Sequence, residues 1–478
     1  MYENYQNMYP PIDLSTYDKP VPTPMQGFDF IPSLDDGIFI GYYHDQHKLP
    51  LYFTDWRNEA CSWHLTCSIY WGISPSPVTY VKGPDATNFL RDVLVNNVDK
   101  WDVGQQKHGI TLTEEGNVAT HGICLKTGEN EYELWWHAPY IDYLFSLKDY
   151  NATCESGVKF TIQMSGPNSE KIIEEAAGES IADIAYVHFR GSHIAGHDVR
   201  ILRFGMTGNL GFEVQGEVED MLDVYKKLIE VGNKYGIREI GFHCYCMNHN
   251  EGGYPQASEH FMSASMTDKG FQEWQRKTFE NEYNSAFDGG GFEGQLESFD
   301  FCGTAYDEFN IEHYYFNPIE LGLGYCINWN HDFRGKQALL DYKASGHTRN
   351  IVTLEWNVED IIDVYRSQWD LDEEPYFSID DMSYTPPKYT KTLKGALMKS
   401  PLYKVFKGDK EVGVAFMHTH SPYYRRIIQL AVVDDDQRDI GNELEVLWGE
   451  KGARCKRIRA AVAKFPYNKH HERTGYSL

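Results

Sequence analysis

The sequence lacks any run of eighteen apolar residues, so it offers no helix of the length and apolarity that a bilayer crossing needs. The N-terminus, MYENYQNMYPPIDLSTYDKPVPTP, lacks a basic segment leading into an apolar one and is not expected to act as a secretory signal. It reads as a Tyr- and Pro-rich tail over residues 1–30. Positive charge is scarce. With 44 Lys and Arg against 70 Asp and Glu, the net charge of −26 repels phosphate backbones and anionic head groups, which argues against nucleic acid and membrane as partners. Cysteine is sparse, odd in number and scattered: the nine stand at 61, 67, 124, 154, 244, 246, 302, 326 and 455, unlike the paired spacing of a secreted disulfide framework. A reducing cytoplasm is the expected compartment. The glycine-rich AFDGGGFEG at 286–294 lacks the Gly-Lys-Ser/Thr that a phosphate loop requires, so the Gly-, Phe- and acid-rich stretch 255–316 reads as a loop-rich insertion or lid.

What is present is a repeated design. PVTYVKGPDATNFLRDVLVNN runs from a β-rich stretch through Gly83-Pro84 into an apolar stripe of Ala86, Phe89, Leu90, Val93 and Leu94. KFTIQMSGPNSEKIIEEAAG repeats it, with Gly166-Pro167 ahead of Ile172, Ile173 and Ala176. Proline at the first helical position forfeits no hydrogen bond, so each Gly-Pro predicts a strand-to-helix junction. Three β-like runs with Glu-Gly and Thr-Gly turns follow the first copy, in HGITLTEEGNVATHGICLKTGENEYELWWHAP. Two follow the second, in HDVRILRFGMTGNLGFEVQG, and then a helix in EDMLDVYKKLIEVGNKYG that Gly236 can close. From NIVTLEW at 350 onward come short β runs, EVGVAFMHTH, RRIIQLAVVD, ELEVLWGE and RIRAAVAKF, broken by the loop DMSYTPPKYTKTLKG. The plan is α+β: a tail at 1–30, a larger domain of repeated β-α units at 31–345, and a β-rich domain at 346–478.

Residues 243–254, HCYCMNHNEGGY, crowd His243, Cys244, Cys246 and His249 together. Zinc commonly takes four ligands in spaced pairs. Here one residue separates the cysteines, five separate the histidines, and no second pair follows, so no metal site is expected. A role of these four in metal or redox chemistry stays open. Buried cysteines otherwise serve as small apolar residues, which leaves Tyr245, Asn248 and Glu251 as the polar members of interest.

The order GPDATNFL, EEGNVATHGI, SGPNSEKI, LRFGMTGNLGFEV, KYGIREIGFHCYCMNHNEGGY and NPIELGLGYCINWNHDFRGKQAL resembles the glycine cleavage T-protein (aminomethyltransferase) superfamily. The resemblance runs from about residue 50 to the C-terminus, where GVAFMHTHSPYYRRIIQLAVV and AAVAKFPY are similar to that family's C-terminal β-barrel. DWRNEACSW, IEHYYFNPIELGLG, NHDFRGKQAL, TLEWN and VLWGE are most similar to the tetrahydrofolate-dependent O-demethylases of vanillate, syringate and related methoxyarenes. The resemblance implies tetrahydrofolate as cofactor, with Glu213 of TGNLGFE and Glu251 of NEGG holding the pterin. A carboxylate can accept two neighbouring N–H groups side by side. It also implies that Tyr245 stands beside the substrate oxygen, where a phenol can assist departure of a phenolate.

The chain departs from the family pattern where substrates are chosen. Thr120 and His121 stand where the T-protein has an acidic residue, which disfavours aminomethyl transfer. Trp71, Gly72 and Pro75 replace a glutamine and histidine of the vanillate enzymes, and His137 stands where they carry an arginine for the carboxylate. Trp71, Trp135, Trp136, His137 and His121, with Tyr42 and Tyr43, are therefore expected to shape a flat aromatic pocket for a less acidic methoxyarene. Such a pocket also suits a methylated sulfonium or ammonium, since cations sit well on aromatic faces. The tRNA-modifying and cluster-assembly branch, marked by K-G-C-Y-x-G-Q-E, is set aside because that signature is absent. The expected activity is transfer of a methyl group from a small methylated donor to N5 of tetrahydrofolate. The alternatives are an onium demethylase, an aminomethyltransferase, and a folate-binding module without turnover.

Overall fold

The computed structural model describes residues 38–42, 45–49, 52–257, 259–278, 299–306, 313–379 and 398–468. The 1–30 tail, Tyr43, the glycine run at 286–294, the loop DMSYTPPKYTKTLKG and the side chain of Tyr42 lie outside what is described.

Both Gly-Pro units fold alike. Strand β4 (Ser76–Lys82) leads to helix α2 (Ala86–Val93), and strand β8 (Thr153–Ser165) leads to helix α4 (Ser169–Ala177). Gly83 and Gly166 take φ of 127° and 128°, a region closed to side chains, and a Cβ on Gly166 would stand 2.6 Å from the Thr66 carbonyl oxygen. The prolines do not occupy the first helical position. Each lies in a turn that precedes the helix, closed by Ala86 N–H to the Gly83 carbonyl and Ser169 N–H to the Gly166 carbonyl, both at 3.0 Å. The expected stripes Phe89, Leu90 and Ile172, Ile173 are fully buried. Burial of each such side chain contributes roughly 1.5–3 kcal/mol.

A ten-stranded sheet carries both units, in the order β5 (Gln106–Leu112), β6 (Val118–Gly128), β7 (Glu131–Trp135), β4, β8, β11 (Gly211–Gly216), β10 (His197–Leu202), β9 (Phe189–Ile194). A side branch of β3 (Cys67–Tyr70) and β12 (Ile237–Glu239) joins β8. Gly211 and Gly205 approach so closely that a Cβ on either would meet the other's Cα at 2.8 Å or less. The TGN turn between β10 and β11 is thereby pinned against the sheet. Helix α5 (Met221–Gly232) buries Met221, Val224, Tyr225, Leu228 and Ile229 and ends, after a short 3-10 turn, at Gly236 with φ 71°.

The strands from Arg349 to Ala463 close a six-stranded barrel around Leu354, Val405, Ala431, Val446 and Ile458. Its strand Lys410–Ser421 meets helix α6 (Phe242–Gly252), where Asn250 donates to Thr419 Oγ1 at 2.6 Å. Among the described residues no helix is long and apolar enough to cross a membrane.

Candidate active site

FHCYCMNHNEG is helix α6, and all eleven of its residues are buried. A helix enclosed on every side yet carrying His243, Asn248, His249, Asn250 and Glu251 is costly unless those groups find partners. Helix α1 (Trp56–Leu65) supplies several. Glu251 Oε2 accepts from Trp63 Nε1 and from His64 Nε2, both at 2.8 Å. Glu251 Oε1 is buried with no hydrogen-bond partner among the described residues. The end of α6 is locked from two sides. Gly252 lies so close to the 206–208 turn that a Cβ would stand 2.2 Å from the Met206 carbonyl oxygen. Asn468 bonds both the Glu251 carbonyl and the Thr207 carbonyl. His64 stacks on Tyr423 at 3.9 Å, and Asn209 Nδ2 reaches its other nitrogen at 3.4 Å. The TGN turn, α1, α6 and the chain end thus converge around one carboxylate.

Glu213, on β11, is 1% exposed. It receives Gln163 Nε2 and Gln215 Nε2 at 3.1 Å and Thr161 Oγ1 at 3.3 Å. Burial pushes its carboxyl up to about 7, against those three bonds, which favour the charge. Three donors leave room for about one more on its two oxygens. Of the two glutamates expected to hold the pterin, Glu251 is therefore the one with an open oxygen.

Tyr245, one turn into α6, is 3% exposed. Its ring stacks on Tyr70 at 4.4 Å and meets the His249 ring edge-on at 4.5 Å, and its hydroxyl donates to Gln256 Oε1 at 3.2 Å. Around it lies a group of buried titratable side chains. Burial lowers His249 to about 4 and His260 well below its ordinary value, and it raises Glu259 to about 8. Glu259 Oε2 stands 3.7 Å from His249 Nδ1.

The aromatic residues expected at the donor pocket divide. Trp71 is buried in the core that also holds Tyr70 and Tyr245. Trp135 is enclosed against Val78, Leu202 and Phe204, with its Nε1 on Glu133 Oε2 at 3.3 Å. Trp136, half-buried with φ 70°, packs against both clusters. Each histidine expected beside the donor has its nitrogens engaged by the protein. His137 meets Thr120 Oγ1 at 2.8 Å and Cys124 Sγ at 3.3 Å. His121 meets His108 Nε2 at 2.9 Å and accepts the Ala257 N–H at 3.1 Å. Burial lowers His137 to about 3 and His121 to about 4, which disfavours a charged imidazole at either position.

Cys244 Sγ donates to the Trp56 carbonyl at 3.4 Å, and burial raises its thiol well above the ordinary value, the reverse of what a thiolate ligand needs. His243 packs on Trp56 at 5.3 Å, and His249 Nδ1 donates to the Tyr245 carbonyl at 2.8 Å. Among the described residues no group of three or more His, Cys, Asp or Glu side chains is placed to hold a metal ion.

Sequence reasoning missed four contributors. Trp63 and His64 reach Glu251 across more than 180 positions. Gln256 holds the Tyr245 hydroxyl. Glu59, fully buried and raised to about 7 by burial, accepts N–H groups from Phe53 and Thr54 at 2.7 Å and from Gly241, the N-cap of α6, at 2.9 Å. Gln256 and Glu59 carry no local pattern that would mark them. DWRNEACSW, which holds Glu59 and Trp63, is visible in the sequence only as part of the family resemblance, and His64 follows it.

Residues 43–267 match the family model described as the GCVT N-terminal domain. The chain is 33% identical over 399 residues to a sesamin methylene transferase of Sinomonas sp., covering 82% of this chain and 84% of that protein. It is 26% identical over 453 residues to a syringate O-demethylase of Sphingobium sp., covering 90% and 92%. It is 23% identical over 431 residues to an aminomethyltransferase of Lysinibacillus sphaericus, covering 88% and 92%. Among solved structures, the glycine cleavage system aminomethyltransferase T of Bartonella henselae shares the fold, with a TM-score of 0.63 over 91% of this chain and 95% of that one at 15% identity. With a 33% identical relative matched over 82% of the chain, the family model over residues 43–267 and the shared fold, the chain belongs to the glycine cleavage T-protein family of tetrahydrofolate-dependent transferases.

Proposed function

We propose that the protein is a demethylase that moves a one-carbon group from the oxygen of an aryl ether, most simply a methoxyarene, to N5 of tetrahydrofolate. Two side chains on one enclosed helix support this reading: a buried phenol at Tyr245 and, less than two turns on, the open buried oxygen of Glu251. The residues present fit the cofactor. A carboxylate oxygen that the protein leaves without a donor is matched by the guanidine-like row of N–H groups on a pterin. Glu251, fixed by Trp63 and His64, would take that edge, and Glu213 would offer the one further acceptor direction it has. Tetrahydrofolate, when bound, supplies the nitrogen that accepts the one-carbon group and sheds a proton in doing so.

The chain's own work is orientation and proton placement. Holding the accepting nitrogen, the carbon and the ether oxygen in line supplies much of the acceleration in a transfer of this kind. Tyr245 gives its proton to the departing oxygen as the C–O bond breaks. Help of that kind contributes roughly a hundredfold or more. Trp71 shares a core with Tyr70 and Tyr245, Trp136 packs against that core, and the two would hold an aromatic ring while keeping water away. With the nitrogens of His121 and His137 engaged by the protein, neither is set to receive a carboxylate, which favours an uncharged aryl ether over an aromatic acid. The same reading places the protein in the cytoplasm, in one-carbon metabolism and in the breakdown of aromatic compounds.

A second reading has a specific basis. The 33% identical relative is named for methylene transfer from sesamin, so a donor whose carbon bridges two oxygens is an alternative to a methyl ether. Both readings use Tyr245 and Glu251 identically and differ in the folate formed. Anaerobic incubation with tetrahydrofolate and paired methoxy and methylenedioxy arenes, with onium compounds and methylamines alongside, separates them by mass spectrometry. A 5-methyl product supports the first and a methylene product the second. Binding of folate with no product from any donor contradicts both and leaves a binding module.

A further inference from the structure

His249 stands on α6 one turn after Tyr245, and Glu259 and His260 stand in the segment that follows the helix. All three are buried. The His249 and Tyr245 rings meet edge-on at 4.5 Å, Glu259 Oε2 is 3.7 Å from His249 Nδ1, and the His249 and His260 rings lie 6.4 Å apart. Each residue has one buried atom without a hydrogen-bond partner among the described residues: His249 Nε2, Glu259 Oε2 and His260 Nε2. Buried polar atoms are nearly always paired, so three such atoms in one group need an occupant.

The three differ in what they offer. Burial disfavours a charged ring at either histidine. His249 Nδ1 donates to the Tyr245 carbonyl at 2.8 Å, so in the neutral ring Nε2 is a bare acceptor. His260 Nδ1 accepts the Gln256 N–H at 3.2 Å, so in the neutral ring the proton sits on Nε2, a donor. Burial raises Glu259 to about 8, which keeps a proton on its carboxyl near neutral pH. The Gln256 carboxamide lies beside His249, and its Oε1 accepts from the Tyr245 hydroxyl at 3.2 Å. One acceptor and two donors are the complement of a hydroxyl, which gives one hydrogen bond and accepts two. An ether oxygen or a carboxylate only accepts, and either would leave His249 Nε2 unpaired.

We propose that His249, Glu259 and His260 form a hydroxyl-binding subsite of the donor pocket, so that the aryl ether presented to Tyr245 carries a free hydroxyl elsewhere on its skeleton. The placement of this subsite in the donor pocket rests on the reading of Tyr245 as proton donor to the leaving oxygen. The hydroxyl gives its proton to His249 Nε2 and accepts from His260 Nε2 and the Glu259 carboxyl. Capping that hydroxyl as an ether removes the proton and strands the His249 acceptor in a buried place, which is how the three residues select the donor.

Calorimetric titration of the full chain with phenol and with anisole, in the absence of folate, tests the subsite without turnover. Phenol binds about tenfold tighter than anisole or better, because a buried site built for a hydroxyl rejects an analogue that leaves its groups unpaired. His249→Phe and His260→Phe each weaken phenol about tenfold and change anisole by less than about threefold. In protein labelled with nitrogen-15 at histidine, phenol shifts the Nε2 resonance of His249 and anisole does not. Equal affinity for the two probes, no binding of phenol, or a phenol affinity unchanged in both variants overturns the proposal. The two probes are compared on the unmodified chain, so the test still decides if a phenylalanine disturbs the fold. A phenol preference without methyl transfer to tetrahydrofolate strikes the donor reading alone, and methyl transfer without a phenol preference strikes the subsite alone.

Discussion

Replacement of Glu251 by Gln probes the cofactor site with almost no change of shape. Among the described residues, Oε2 is satisfied by two donors at 2.8 Å and Oε1 is buried without one. A buried acceptor left unpaired costs about 1–3 kcal/mol, and a ligand N–H that reaches it recovers that cost. Hydrogen bonds to a charged acceptor contribute about 1.5–3 kcal/mol against about 1 for a neutral one, so loss of the charge should weaken folate by about 1–2 kcal/mol. That corresponds to a Kd raised about 5- to 30-fold. Calorimetric titration of the variant with tetrahydrofolate under anaerobic conditions measures it directly. The donor's KM should move far less, because the proposed site gives this carboxylate to the folate and not to the donor. A folate Kd within twofold of the unmodified protein's would refute the assignment of the open oxygen to the pterin.

Three further outcomes are expected. Tyr245→Phe removes the proposed proton donor and should lower kcat about a hundredfold while leaving KM nearly unchanged; full activity would remove the phenol from the mechanism. Glu213 has a folded-state value of about 7, above the ordinary 4.5, so between those values the folded protein keeps a proton that the unfolded chain has lost. Its contribution is complete below about 4.5 and is lost as the pH rises toward 7, at up to about 1.4 kcal/mol per pH unit; denaturant melts from pH 5 to 7 should show a flatter dependence in Glu213→Gln. Glu59→Ala strands the N–H groups of Phe53, Thr54 and Gly241 and should destabilise the protein by about 2–4 kcal/mol in urea unfolding, while Glu59→Gln should cost clearly less.

Much of the fold was legible where its causes are local. Gly83-Pro84 and Gly166-Pro167 announce the two strand-to-helix units because only glycine adopts their φ and proline cannot continue a ladder. The Met221 to Ile229 stripe has helical spacing because that face is the buried one. FHCYCMNHNEG was harder to read: it mixes apolar and polar residues and is buried all round, so it has no amphipathic signature to betray a helix. The site was legible only in part. Glu213, Tyr245 and Glu251 stand in motifs, but whether an acceptor is open or filled depends on side chains from other strands, such as Gln163 and Thr161 against Glu213. The same holds for His121 and His137. Their position in the chain resembles that of substrate ligands, while their hydrogen bonds to Ala257, His108, Thr120 and Cys124 are set by strand register and by a loop 136 positions away.

Transfer of an intact labelled methyl group bears most directly on the central claim. The protein is incubated anaerobically with tetrahydrofolate and a methoxyarene whose methyl carries carbon-13 and three deuteriums, and both products are weighed by mass spectrometry. The account predicts 5-methyl-tetrahydrofolate heavier by the full label, in equal amount to the free phenol, and dependent on Tyr245. Release of phenol without label in folate, or folate that stays unlabelled while it binds, would contradict it.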